Sequence, residues 1–187
     1  MIYDLPTSVE VGGTEYSIRS DYRAVLDICT ALSDPELTAQ DKGIVALGIF
    51  YGEDIFQKLP VDHYEEALRR CFWFIDGGAA EDPAARKRPK LMDWEQDFQY
   101  IVAPVNRVIG TEIRSVEYLH WWSFLSAYYE IGDCVFAQIV RIRNLKARGK
   151  PLDKADREWY QQNRKLVDLK TTYTEQENEL LKQWGGG

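Results

Sequence analysis

Apolar residues recur along this 187-residue chain with helical spacing in most segments and with strand alternation in only one. Val9 and Val11, then Tyr16 and Ile18, alternate with polar residues on either side of Gly12-Gly13. That glycine pair adopts positive φ at little cost, so residues 1–20 are expected to form a β-hairpin. A lone hairpin is marginal in water and must lie on a helical surface. From Tyr22 the period changes: Tyr22, Val25, Leu26, Cys29 and Leu32 share one helical face behind a cap at Ser20 or Asp21. Ser33-Asp34-Pro35 ends that helix.

A second helix is predicted over about residues 38–51, with Ile44, Leu47 and Tyr51 on one face. Gly43 and Gly48 either weaken it or permit close packing. After Leu59-Pro60, Asp62 and Glu65 make a capping-box-like start for a third helix. That helix runs into Cys71-Phe72-Trp73-Phe74-Ile75, apolar all round and expected to be buried on several sides, and Asp76-Gly77-Gly78 stops it. Residues 77–92 read as a loop, and the cluster Arg86-Lys87-Arg88 within it as a solvated charge run. Asp93 can cap a helix carrying Trp94, Phe98, Ile101, Val102 and Val105, with Pro104 as a kink or break.

Val116 to Ile131 is predicted as a heavily aromatic central helix, followed after Gly132-Asp133 by another from Val135 to Ala147. Gly149-Lys150-Pro151 is a stop, and Asp153 can cap a last helix over about residues 154–170. In this polar C-terminal arm the apolar residues thin to a narrow stripe. Trp159, Tyr160 and Leu166, with Leu180, Leu181 and Trp184 beyond, are the candidate protein-interaction residues. The fold expected is all-α, a compact bundle of roughly seven helices with a small N-terminal hairpin. It reads as one domain over residues 1–187: the hairpin, a first helical half at 21–76, the 77–92 loop, a second half at 93–150, and the arm at 151–187.

Composition agrees with a packed core. The chain is 45% hydrophobic and 13% aromatic, which is too apolar for disorder. A net charge of −7 discourages binding to a nucleic-acid backbone. The charge is uneven, −11 over residues 1–140 and +4 over residues 141–187, so the arm either meets an acidic partner or folds on its own body. Cys29, Cys71 and Cys134 lack disulfide or metal-ligand spacing and suit buried thiols in a reducing cytoplasm. No apolar run reaches the roughly 20 residues that span a bilayer, so no membrane role is expected.

Candidate chemistry is sparse. His63 and Glu66 share a helical face and can donate two metal ligands, but no second Glu-x-x-His completes a site. His120 precedes Trp121-Trp122 on an apolar segment; a hydrogen-bonded core or interface histidine explains it better than a general base. No phosphate loop, calcium loop or nucleophile signature occurs, so neither cofactor nor metal nor catalysis is expected. His120, Trp121, Trp122, Phe72, Trp73 and Phe74 are the candidate core or interface residues.

The order of these features resembles one known family. It begins with the hairpin, Asp21-Tyr22-Arg23, and Cys71-Phe72-Trp73-Phe74 before a glycine-containing linker. Asp93 and Asp97 follow, then His120-Trp121-Trp122-Ser123-Phe124, then Ile139 to Arg143, and a polar end. Together they are similar to the gene-product-fifteen family of long-tailed bacteriophages and prophages of Gram-positive bacteria. The resemblance implies a tail assembly chaperone that holds the tape-measure protein in solution in the host bacterial cytoplasm, before the tail tube polymerises. It implies possible contacts with the tail tube protein or with further copies of itself, and no catalytic residues. A structural virion component, a minor tail or head-tail connector protein, is the alternative the same resemblance allows.

Overall fold

The computed structural model describes residues 4–80 and 89–170, which form two compact units. Unit one takes in residues 4–80 and His120–Trp122; unit two takes in residues 89–119 and 123–170. The change from one unit to the other near residue 81 falls inside the segment read as a loop. Among the described residues the architecture is mainly α-helical, with a single two-stranded antiparallel hairpin.

Unit one opens with β1 (Ser8–Val11) and β2 (Thr14–Ser17), paired Val9 to Tyr16 and Val11 to Thr14. Gly12 and Gly13 turn the chain at φ of 56° and 75°. A side chain at Gly12 would collide with the His63 imidazole, so glycine is needed there for space as well as for φ. Helices α1 (Tyr22–Ser33), α2 (Ala39–Tyr51), the single turn α3 (Ile55–Lys58) and α4 (Tyr64–Ile75) follow. Asp21 caps α1 by accepting the Arg23 N–H at 3.0 Å, and Thr38 and Asp41 form a reciprocal capping box on α2. The hairpin lies on α4: the Gly12 N–H donates to Glu66 at 3.0 Å and Arg70 donates to the Glu10 carbonyl at 3.1 Å. Val25, Ile28, Leu47, Phe50, Ala67, Cys71 and Phe74 form this unit's core.

Unit two holds α5 (Trp94–Ile109), α7 (Val135–Ala147), α8 (Lys154–Gln162) and α9 (Arg164–Val167). It also holds most of α6 (Trp121–Tyr129), whose first two residues belong to unit one. Asp93 caps α5 and Asp153 caps α8, as their positions predicted. Pro104 does not break α5, which continues to Ile109 and ends on Gly110 in the left-handed region. Ile101, Val105, Ile113, Phe124, Phe136, Ile139, Ile142 and Val167 form the core.

Several expectations are corrected. The predicted helix from Val116 to Ile131 is helical only over Trp121–Tyr129. Before it the backbone is extended at His120, which bridges to Asp21, and the Trp121 N–H donates to the Ser20 carbonyl at 2.8 Å. The last helix is interrupted at Asn163 (φ −117°, ψ 24°) into α8 and α9. With α3 added, the described residues hold nine α-helices, of which α3 and α9 are four-residue turns. The start of α4 is not a capping box at Asp62: Val61–His63 is a 3₁₀ turn launched by Pro60, and α4 begins at Tyr64 without a side-chain cap. In the Cys71-to-Ile75 run, expected to be buried on several sides, Cys71 and Phe74 are buried and Trp73 and Ile75 half-buried, while Phe72 points outward at 39% exposure.

Candidate protein-interaction surfaces

The His-Trp-Trp motif closes the C-terminal end of α4. A helix leaves its last carbonyls without intrahelical donors. In α4, Gly77 and Gly78 return their N–H groups to Phe74 and Trp73 at 3.1 and 2.9 Å, the pattern of a Schellman cap. The remaining acceptor capacity is met by indoles: Trp122 Nε1–H donates to the Phe74 carbonyl at 2.9 Å and Trp121 Nε1–H to the Ile75 carbonyl at 2.8 Å. Trp122 packs so close to Gly78 that a Cβ there would sit 2.9 Å from the indole ring. The Trp122 ring also stacks on Phe74 at 5.8 Å and meets Trp73 edge-on at 5.4 Å.

His120 caps the start of α6. Its Nδ1 accepts the Trp122 N–H at 3.0 Å, the role a serine or aspartate oxygen usually plays. Its Nε2 lies 3.0 Å from the Pro6 carbonyl, which can only accept, so the proton sits on Nε2. Both ring nitrogens are engaged, and the residue is buried at 3% exposure. No lone pair is left over for proton transfer. His63 packs beneath Gly12, and Glu66 accepts from that turn. Among the described residues no three His, Cys, Asp or Glu side chains gather where a metal could bind.

The arm is held to unit two through Arg143. Its guanidinium has five N–H donors, and all five have acceptors. Two go to the Asp97 carboxylate at 2.6 and 3.0 Å, and three to the carbonyls of Leu91, Leu166 and Val167 at 3.0, 3.0 and 2.6 Å. Asp97 in turn accepts the Asp93 N–H at the start of α5. Both charged groups are buried, at 7% and 1% side-chain exposure, which is tolerable only because every polar atom is paired. Outside this hub, Arg141 binds Asp156 bidentately. Lys146 donates to Tyr160 and Asp168 while lying 4.1 Å over the Tyr160 ring. The desolvation of Asp168 is outweighed by hydrogen bonds from Lys146, Arg164 and Tyr160, which hold its carboxyl below the usual range. Of the two readings of the arm's charge, residues 153–170 follow the one in which it folds on its own body.

The candidate interaction residues therefore separate. Trp159, Tyr160 and Leu166 are half-buried in the arm's packing, and Leu180, Leu181 and Trp184 lie outside the described residues. Phe74, His120 and Trp121 are core, Trp73 and Trp122 are half-buried, and Phe72 is exposed. Arg86-Lys87-Arg88 also lies outside the described residues.

A surface that pattern reasoning passed over lies on unit one. α2 presents Gly43-Ile44-Val45-Ala46-Leu47-Gly48-Ile49-Phe50-Tyr51, a run without a single charged residue. Its inner side packs in the core through Ala46, Leu47 and Phe50, while Ile44 stands 40% exposed. Gly43 admits Leu68 of α4, and Gly48 admits Phe56 of α3, each within 3.3–3.4 Å of where a Cβ would be. Phe56 meets Tyr64 edge-on at 6.0 Å, and Tyr64, Leu68 and Phe72 follow one another at four-residue steps along α4. Val61, 73% exposed, lies three residues before Tyr64. These approaches gather exposed apolar side chains of three helices into one patch. Its signal in the sequence was the missing polar face of α2; the glycine pair was noticed without it.

Unit two offers a shallower groove of about 580 Å³, lined by Tyr100, Ala103, Pro104, Arg107, Cys134 and Val135. No described helix is long and apolar enough to cross a membrane.

Comparison with protein families gives a match over residues 1–169 to the family described as Bacteriophage Gp15 protein. Neither the curated proteins nor the solved structures contain a match.

Proposed function

The chain belongs to the Bacteriophage Gp15 protein family, and from that premise we propose that it is a tail assembly chaperone for the tape-measure protein. Membership makes it a bacteriophage protein of structural or assembly type. The finer reading rests on the apolar patch of α2, α3 and α4. The tape measure that the family resemblance implies is a long, apolar chain that must stay dispersed until the tail tube grows around it. A holdase for such a chain needs exposed apolar surface on a rigid support, and contiguous apolar patches on a folded surface generally mark partner sites. Ile44, Phe56, Val61 and Phe72 provide that surface, and the glycine cap and the two indole hydrogen bonds close the end of α4 that carries part of it.

On this reading the protein acts by binding, without catalysis or cofactor, in the cytoplasm of the infected bacterium. It can self-associate or touch the tail tube protein during assembly. The test is quantitative mass spectrometry of purified phage particles beside infected-cell lysate. A chaperone is abundant in the lysate and missing from the particle. A fixed copy number per particle would instead identify a structural tail or connector component.

A further inference from the structure

We propose that the patch on α2, α3 and α4 is a docking surface for a basic amphipathic helix of another protein. The proposal rests on the holdase reading above and specifies which surface and which chemistry carry it.

The charge around the patch selects the partner. The described part of unit one carries fourteen carboxylates against six basic side chains, a net charge of −8 with histidine neutral. Of the basic residues near the patch, Lys58 is paired with Asp54 and Arg69 with Glu65 at 3.1 Å, while Lys42, next to Gly43, has no ion-pair partner among the described residues. Glu53, beside the start of α3, and Asp62, in the turn between Phe56 and Tyr64, have no ion-pair partner among the described residues. An apolar strip bordered by uncompensated carboxylates attracts a helix that is apolar on one face and lysine- or arginine-rich along its flanks. The same charge argues against a second copy of this chain, because two such faces would bring like charges together at a desolvated contact. It argues equally against an acidic or a purely polar partner. The shape suits a helix: Ile44, Phe56 and Phe72 project from three separate elements, and the two glycines let Leu68 and Phe56 pack close against α2.

The experiment uses the full chain and three fluorescein-labelled 18-residue peptides. One is a leucine/lysine amphipathic helix, one its leucine/glutamate counterpart, and one a leucine/lysine scramble of equal composition without a continuous apolar face. Fluorescence anisotropy should show saturable binding of the first, with the other two at least tenfold weaker. Ile44→Lys should weaken binding more than tenfold, and Glu53→Lys with Asp62→Lys at least threefold with a reduced salt dependence. All sites are at the surface, and circular dichroism verifies that each variant is folded. Binding that survives Ile44→Lys, equal binding of the scramble, or indifference to the sign of peptide charge overturns the proposal. So does a homodimer in sedimentation equilibrium that Ile44→Lys dissociates while no peptide binds.

Failure here and failure of the holdase reading are separable. A tape-measure complex that forms normally with the Ile44→Lys variant refutes this surface and leaves the function standing. Peptide binding that depends on Ile44, without any tape-measure complex, refutes the function and leaves the surface standing.

Discussion

Replacing Arg143 by methionine removes a guanidinium that holds three separate pieces of unit two together. The methionine fills much of the same volume, so the loss is mainly electrostatic and hydrogen-bonding. Five hydrogen bonds disappear, and Asp97, 1% exposed, is left without its cation, with the Asp93 N–H still donating to it. Stranding one partner of a buried ion pair costs about 3–5 kcal/mol. The carbonyls of Leu91, Leu166 and Val167 lose a donor at the same time. A part of that loss is recovered if water enters beside Leu166, which is half-buried. The net destabilisation expected is therefore about 3–5 kcal/mol, a large share of the 5–15 kcal/mol that typically separates folded from unfolded. Urea denaturation followed by tryptophan fluorescence reads it directly. Arg143→Lys should fall between, because an ammonium has three donors and cannot match the carboxylate with a planar fork. Pairing Arg143→Met with Asp97→Leu should recover part of the loss, since removing both charges leaves none stranded. Hydrogen exchange should show α8 and α9 losing protection first, as the Leu166 and Val167 carbonyls are released. A cost below about 1 kcal/mol for Arg143→Met would refute the reasoning, as would unchanged exchange in residues 154–167.

The remaining predictions concern the other polar anchors and the thiols. His120→Ala should cost about 1–2 kcal/mol through the lost cap of α6, with His120→Asn recovering part of it because its amide oxygen can accept the Trp122 N–H; thermal denaturation checks the order. Trp122→Phe should cost about 0.5–1.5 kcal/mol beyond the lost apolar area by removing the indole hydrogen bond to the Phe74 carbonyl, which keeps the Gly77 N–H as donor, and Gly78→Ala should destabilise by clashing with Trp122 at a φ of 82°. Burial pushes the Cys71 thiol to about 12 and the Cys29 thiol to about 11, so at pH 8 both should resist iodoacetamide until the protein unfolds. The depressed Asp168 carboxyl contributes stability above the ordinary aspartate pKa and loses it as pH falls through its lower folded value; Asp168→Asn should therefore flatten the acid limb of the stability profile.

Local signals were the most legible in the sequence. Asp21, Asp93 and Asp153 cap the helices they were expected to cap, because capping depends on a few adjacent residues. The hairpin and its Gly12-Gly13 turn follow from alternation and positive φ. The segment before Trp121 misled because its apolar content satisfies a helical period, whereas its backbone answers to Ser20 and Asp21, a hundred residues earlier in the chain. The Arg143 hub shows the same limit. Basic residues near the end of α7 were explicable by the helix dipole, and nothing local indicated that one of them reaches Asp97, Leu91 and Leu166. The arm looked peripheral for that reason. The apolar patch was hidden because Ile44 shares a helical face with Leu47 and Tyr51 by spacing, and only tertiary packing leaves it exposed while those two are buried.

The proposed role requires this chain to keep a tape measure dispersed. Expressing the phage's tape-measure protein in bacteria alone and together with this chain, then measuring the tape-measure fraction in the cleared supernatant, tests that requirement most directly. The account predicts an insoluble tape measure when it is expressed alone, and a soluble complex that co-purifies with this chain when both are present. A tape measure equally soluble alone, or one that stays insoluble with no complex formed, would contradict it.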